Sequence, residues 1–146
     1  MSYVPYETTK MPKVFTSKTQ KTGEIGENIA TRFLVKHDFL ILNRNYTKKW
    51  GEIDIVAEKA DKLYFIEVKS VSKYDLNNVT HETMDQYHPE DNMHPWKLKR
   101  LSRTIQTYLL SEKIPDEKEW QVDLLVVFLD IESKKAKIKV VNDIIL

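Results

Sequence analysis

The stretch Trp50–Val71, WGEIDIVAEKADKLYFIEVKSV, decides how the rest of the chain is read. Two β-rich runs, Glu52 to Ala57 and Leu63 to Val71, flank a polar turn from Glu58 to Lys62, which is the pattern of a β-hairpin. Each run carries an acid where a buried strand avoids one: Asp54 stands between Ile53 and Ile55, and Glu67 between Ile66 and Val68, with Lys69 two residues on. Strand side chains alternate faces, so Glu52 should share a face with Asp54, and Glu67 with Lys69. If Asp54 lies opposite Glu67, their Cβ atoms come within about 4.5–5.5 Å. Two carboxylates at that spacing can share a divalent ion, because Mg²⁺ takes oxygen ligands at about 2.1 Å and keeps several waters. Without a cation they repel, and one tends to stay protonated. The plain alternative is the solvated face of an amphipathic hairpin, with Glu67 and Lys69 in surface ion pairs. Against it stands Asp54 itself, since Asp is depleted from strands.

Working outward toward the N-terminus, Phe39 to Tyr46 reads as a strand that ends at Arg44 and Asn45, near the hairpin. Before it, Ile25, Ile29, Phe33 and Leu34 recur at helical spacing. Thr22 is the expected N-cap, and the end falls at His37-Asp38, because Asp tolerates the left-handed C-cap conformation. Glu27 on this helix either points to the hairpin acids or is there for the helix dipole. Residues 1–21 are rich in Lys, Thr, Ser and Pro without periodicity and read as a flexible basic arm.

Toward the C-terminus, residues 72–95 lose periodicity and read as a long loop. It holds His81, His88 and His94, whose spacing fits no compact helical metal motif. From Pro95, the stripe Leu98, Leu101, Ile105, Tyr108 and Leu109 predicts a helix with Lys97, Lys99, Arg100 and Arg103 off its apolar face. After a linker, Trp120 to Leu129 is a nearly continuous apolar run, expected to be an interior strand parallel to an earlier one. Lys135 to Ile145 adds an edge strand. The order is αβββαβ with a final β, a mixed sheet with helices packed on it.

The chain has 146 residues, 31% charged and 41% apolar, the balance of one globular domain spanning 22–146. A net charge of +1 does not announce a polyanion binder; the clustering of Lys97, Lys99, Arg100 and Arg103 says more. The absence of cysteine excludes a disulfide framework and a thiolate nucleophile. No run has the length of a membrane span and no signal peptide is recognisable, so the cytoplasm is the expected compartment.

A strand aspartate beside a Glu-x-Lys suits phosphodiester hydrolysis. A cation held by Asp54 and Glu67, with the Val68 backbone carbonyl, would polarise the phosphate and acidify a water. Lys69 would orient that water or stabilise the charge that develops.

Gly23-Glu24-Ile25-Gly26-Glu27 with Ala30, Arg44-Asn45, Gly51-Glu52-Ile53-Asp54, Phe65-Ile66-Glu67-Val68-Lys69, Lys97 through Leu101, Tyr108-Leu109 and Asp123 resemble the YraN-like family of predicted endonucleases. That family is similar to archaeal Holliday junction resolvases and belongs to the PD-(D/E)XK superfamily. The resemblance implies an α/β fold of the restriction-endonuclease-like kind, three αβα layers around a mixed sheet. It also implies a Mg²⁺- or Mn²⁺-dependent DNA endonuclease, with branched or damaged DNA as candidate substrates. Asp54 and Glu67 correspond to the metal ligands, Lys69 to the catalytic lysine and Glu27 to the helix acid of the site. Lys97, Lys99, Arg100, Arg103, Arg44 and Asn45 are the candidate DNA contacts, with Glu52 and Gln106 as further candidates. By analogy with resolvases, which make two symmetric cuts, a homodimer is expected. A DNA-binding or adaptor module of the same fold without turnover is the other reading.

Overall fold

The computed structural model describes residues 4–5, 18–72, 93–130 and 132–146. Its elements in chain order are β1 (Val4–Pro5), α1 (Lys18–Lys36), β2 (Leu40–Lys48), β3 (Gly51–Lys59), β4 (Lys62–Val71), α2 (Pro95–Ser111), β5 (Trp120–Asp130) and β6 (Lys135–Val141). They build one sheet in the order β1-β6-β5-β4-β3-β2. Only β4 and β5 run parallel, which follows from the connection through α2; every other neighbouring pair is antiparallel. The result is an open mixed sheet in an α/β fold.

Two apolar clusters show that the helices lie on opposite faces. Ile29, Ala30 and Leu34 of α1 pack with Ile55, Ala57, Ile66, Leu125 and Val127. Leu101, Ile105 and Tyr108 of α2 pack with Ile53, Val56, Leu63, Phe65 and Val122. Successive residues such as Phe65 and Ile66 go to different clusters, as strand alternation requires. The expected αβα layering is thereby met. β5 is buried from Val122 through Leu129, which is why its sequence shows no alternation.

Several boundaries differ from the sequence expectation, each for a local reason. The hairpin turn is tighter than 58–62: Lys59 pairs with Lys62 across Ala60 and Asp61, both at positive φ (50° and 62°). Two left-handed residues in a row match the right-handed twist of the strands, and such turns are usually marked by Asn-Gly rather than Ala-Asp. Lys118 secures this one, its Nζ 2.7 Å from both Glu58 Oε2 and Asp61 Oδ1. Helix α1 begins at Lys18, so Thr22 lies inside it and is not the N-cap. Its C-terminus is as expected: Asp38 has φ 70°, and the Phe39 N–H returns to the Leu34 carbonyl at 3.0 Å.

Strand β2 runs on to Lys48, which places Arg44 and Asn45 within it rather than at its end. β6 is not the sheet edge, because Val4–Pro5 pairs with Lys135–Ala136. The basic arm predicted over 1–21 therefore gives residues 4–5 to the sheet and 18–21 to α1, while residues 1–3 and 6–17 lie outside the described residues. Most of the 72–95 loop, with His81 and His88, also lies outside them. His94 caps α2, its Nδ1 accepting from the Trp96 N–H at 3.4 Å.

Candidate active site

The site forms where β2, β3 and β4 lose regular pairing. The β2–β3 ladder joins Arg44 to Ile55 and then Tyr46 to Ile53, stepping over Asn45 and Asp54. Asn45 sits at φ 54°. Ile53 and Val56 both pack toward α2 while Ile55 and Ala57 pack toward α1, so the alternation of β3 slips by one residue at Asp54. On the other side, the β3–β4 pairs run from Lys59–Lys62 to Ile55–Ile66 and stop. The next step along would bring Asp54 and Glu67 together. There the Val68 N–H donates to Asp54 Oδ2 at 2.8 Å, so the aspartate is turned toward β4, into the gap between the strands.

Asp54 is only 8% exposed. Burial first, and then the charge of Glu67, push its carboxyl up to about 8; Glu27 and Glu52 push the same way, and the Val68 N–H only partly opposes them. Glu27 reaches this cluster from α1. Burial raises its pKa too, against the pull of Arg44, whose Nη2 lies 3.3 Å from Glu27 Oε1 and 2.8 Å from Asn28 Oδ1. Asn45 also hydrogen-bonds Glu27. Arg44 and Asn45 thus hold an acid of the site in place. Glu27 lies midway along α1, so the helix dipole does not account for it.

Glu67 is mostly buried and forms an ion pair with Lys97, Nζ to Oε1 3.1 Å. Lys69 is exposed and has no ion-pair partner among the described residues. Beside Glu67 a cleft of about 450 Å³ opens between the β2–β3 turn and the first turns of α2. Lys48, Lys49, Lys97 and Arg100 line it together with Glu52 and Glu67, and His94 and Trp96 complete its wall. Asp54 and Lys69 are not on that wall. Nor are Lys99 and Gln106, which are exposed on α2, or Arg103, which stacks 4.5 Å from the Trp50 ring centroid.

The cleft has this shape because α2 grips the β2–β3 turn. A Cβ on Gly51 would lie 2.7 Å from Thr104 Oγ1 and 3.3 Å from the Arg100 carbonyl, so only glycine allows this approach. Arg100 Nε donates to the Trp50 carbonyl at 3.2 Å. Sequence reasoning overlooked Lys48, Lys49 and Trp96, and weighed His94 only as a loop histidine. The signal was present in Lys48-Lys49-Trp50 just ahead of the GEID run, a basic and aromatic hairpin tip.

Chemically, the arrangement is a set of acids with too little positive charge at its centre, bordered by a cationic cleft. Among the described residues no group of three or more His, Asp or Glu side chains is arranged to hold a metal. A cation here would draw on two carboxylates, a carbonyl and water. None of the helices described is long and apolar enough to cross a membrane.

Residues 26–128, the span that contains all of these groups, match a family described as uncharacterised protein family UPF0102. A UPF0102 protein of Campylobacter fetus is 38% identical over 115 residues, covering 79% of this chain and 87% of its own length. One from Campylobacter hominis is 35% identical over 118 residues, covering 81% and 89%. One from a Sulfurovum species is 35% identical over 119 residues, covering 81% and 87%. With that extent of match, the chain belongs to the UPF0102 family.

Proposed function

We propose that this protein is a metal-dependent endodeoxyribonuclease of the PD-(D/E)XK kind, hydrolysing phosphodiester bonds in DNA, with branched or damaged forms the first to test. The observation that carries the reading is Asp54: a buried strand carboxylate turned toward β4 by the Val68 N–H, pushed up to about 8 by burial and then by the charge of Glu67, with Glu27 and Glu52 adding to it. A protein that only needed a stable hairpin would gain by an apolar residue there.

The donor set fits a hard cation. Asp54 and Glu67, with the Val68 carbonyl, would hold it; Mg²⁺ or Mn²⁺ accepts such oxygen ligands and commonly keeps waters for the rest. When bound, the ion would supply charge neutralisation and a more acidic water. Lys69, exposed and free of ion pairs among the described residues, would orient the attacking water and meet negative charge as it develops. Glu27, held by Arg44 and Asn45, would accept a hydrogen bond from a water in the same cluster. Lys48, Lys49, Lys97 and Arg100 would bind backbone phosphates along the cleft. A two-fold pair of chains would suit a junction cut at two symmetric positions.

One observation favours the second reading, a DNA-binding or adaptor module without turnover. Lys97 already neutralises Glu67 at 3.1 Å, which can hold the acid in place with no cation. The test is a cleavage panel of single-stranded, duplex, flap and four-way-junction DNA with Mg²⁺ and Mn²⁺. The nuclease reading expects divalent-dependent cutting of at least one form, lost in Asp54→Ala and in Lys69→Ala. Binding that survives Asp54→Ala, with no form cut, establishes the adaptor instead.

A further inference from the structure

We propose that Trp96 is a stacking platform for an unpaired base, so that the cleft takes DNA whose bases are open beside the bound phosphate in preference to continuous duplex. This rests on the nuclease reading only for the path of the strand along the cleft. Trp96 is 53% exposed although it is among the most apolar side chains of the chain. It sits on the cleft wall beside Lys97, whose ammonium reaches Glu67. The Arg100 guanidinium lies 4.7 Å from the ring centroid, and the His94 ring meets it edge-on at 5.6 Å.

The comparison within the molecule is with Trp50. That indole is also covered by an arginine of α2, Arg103 at 4.5 Å, but its Nε1 is buried without a hydrogen-bond partner and its carbonyl is bound by Arg100. Trp50 fastens the hairpin to the helix. Trp96 fastens nothing comparable, and it is found in neither of the apolar clusters that join the helices to the sheet. An exposed indole steadied by a guanidinium, in a cleft where three lysines and Arg100 outnumber Glu52 and Glu67, has the composition of single-strand binding surfaces: cations follow the backbone while an aromatic face takes a base. A base inside an intact duplex has no free face to offer, whereas one at a flap, gap or branch point does.

The experiment measures binding rather than cutting, in Ca²⁺ buffer with the Asp54→Asn background, so it reads out whether or not the protein is a nuclease. Fluorescence anisotropy is recorded for duplex, for gapped DNA with one unpaired base, and for the same DNA with that base replaced by an abasic residue. Trp96→Ala should weaken binding of the gapped DNA about tenfold, the size of one base stack, and leave duplex unchanged. The abasic substitution should cost the protein that keeps Trp96 a similar factor and cost Trp96→Ala nothing further. Trp96→Phe should restore part of the loss, and Leu110→Ala, on an exposed residue at the far end of α2, should change nothing. Equal losses on duplex and gapped DNA, or abasic sensitivity that persists in Trp96→Ala, would overturn the proposal. Failure of DNA cleavage with these binding differences intact would sink the nuclease reading alone.

Discussion

The backbone N–H of Val68 donates to Asp54 Oδ2 at 2.8 Å. A hydrogen bond that would ordinarily extend the β3–β4 ladder goes to a side chain instead, and the ladder ends at Ile55–Ile66. The Asp54 carboxylate is therefore turned toward β4 one step beyond the last ladder pair, where the charge of Glu67 acts on it. This contact places the acid cluster at the end of the hairpin, and the cluster's electrostatics follow from it.

The first consequence concerns stability against pH. Burial and neighbouring acids raise Asp54 from an ordinary value of 3.8 to about 8, so the folded protein holds this proton more tightly than the unfolded chain does. That contribution is whole below about pH 4, falls as pH rises and is gone above about 8. Asparagine keeps an oxygen for the Val68 N–H and does not titrate. In the absence of divalent ions, Asp54→Asn should gain on wild type across this window, by up to about 6 kcal/mol at its upper end. Urea unfolding at several pH values checks it, and a difference that does not vary with pH contradicts it. Saturating Mg²⁺ should raise the midpoint of wild type alone.

Much of this was legible beforehand, and the reason is chemical. The two acids in apolar runs, the register that brings Asp54 toward Glu67, the parallel β5 and the left-handed Asp38 all follow from residue types at fixed positions. The slip at Asp54 was not. Regular alternation puts Ile53 and Ile55 on one face, yet they serve opposite helices, and nothing in IDI distinguishes a strand that alternates from one that slips. The turn at Ala60-Asp61 was also obscure, because its positive φ angles are held by Lys118, a residue far along the chain. Arg44 and Asn45 are expected from the sequence as DNA contacts; the packing of α1 against β2 shows them also bonded to Glu27, which no local sequence pattern indicates.

Lys97 separates the two functional readings. Its ammonium is more than half exposed, so the pair with Glu67 contributes at most about 1 kcal/mol, and Lys97→Ala should barely alter stability. If it contacts phosphate, DNA affinity should fall for all sequences alike, and the slope of log K against log salt should shrink by about 1. Removing this competitor for Glu67 should also tighten Mg²⁺ or Mn²⁺ binding, measured by calorimetry. Unchanged metal affinity would indicate that Glu67 is not a ligand.

Gly26 sets the distance between Glu27 and the sheet. A Cβ there would collide with Ser70 Oγ, with Ser70 Cβ at 3.1 Å and Val127 Cβ at 3.8 Å. Alanine in a helix interior gains about 1 kcal/mol over glycine, but forcing a methyl into this contact costs about 1–3 kcal/mol and displaces α1. Gly26→Ala should therefore be destabilised, and Ser70→Ala should relieve part of the loss. Thermal unfolding of both single variants and the double variant gives the coupling. Strictly additive effects would show that α1 does not rest on Ser70.

Asp123 resembles a family motif position, and its surroundings assign it to the fold. It is buried, its Oδ1 accepting from Gln121 Nε2 at 2.7 Å and from the Asp143 N–H at 2.9 Å, while the Ile144 N–H bonds the Val122 carbonyl at 2.7 Å. These bonds tie the segment after β6 to the start of β5. Asp123→Ala removes the acceptor of the Asp143 N–H and of the Gln121 amide and should cost about 1 kcal/mol. Asp123→Asn keeps an acceptor oxygen and should cost less. Neither change touches the acids at Asp54 and Glu67, so any divalent-dependent cleavage per folded molecule should persist. Chemical denaturation paired with a cleavage assay tests both halves: activity lost while the protein stays folded would place Asp123 in the reaction instead.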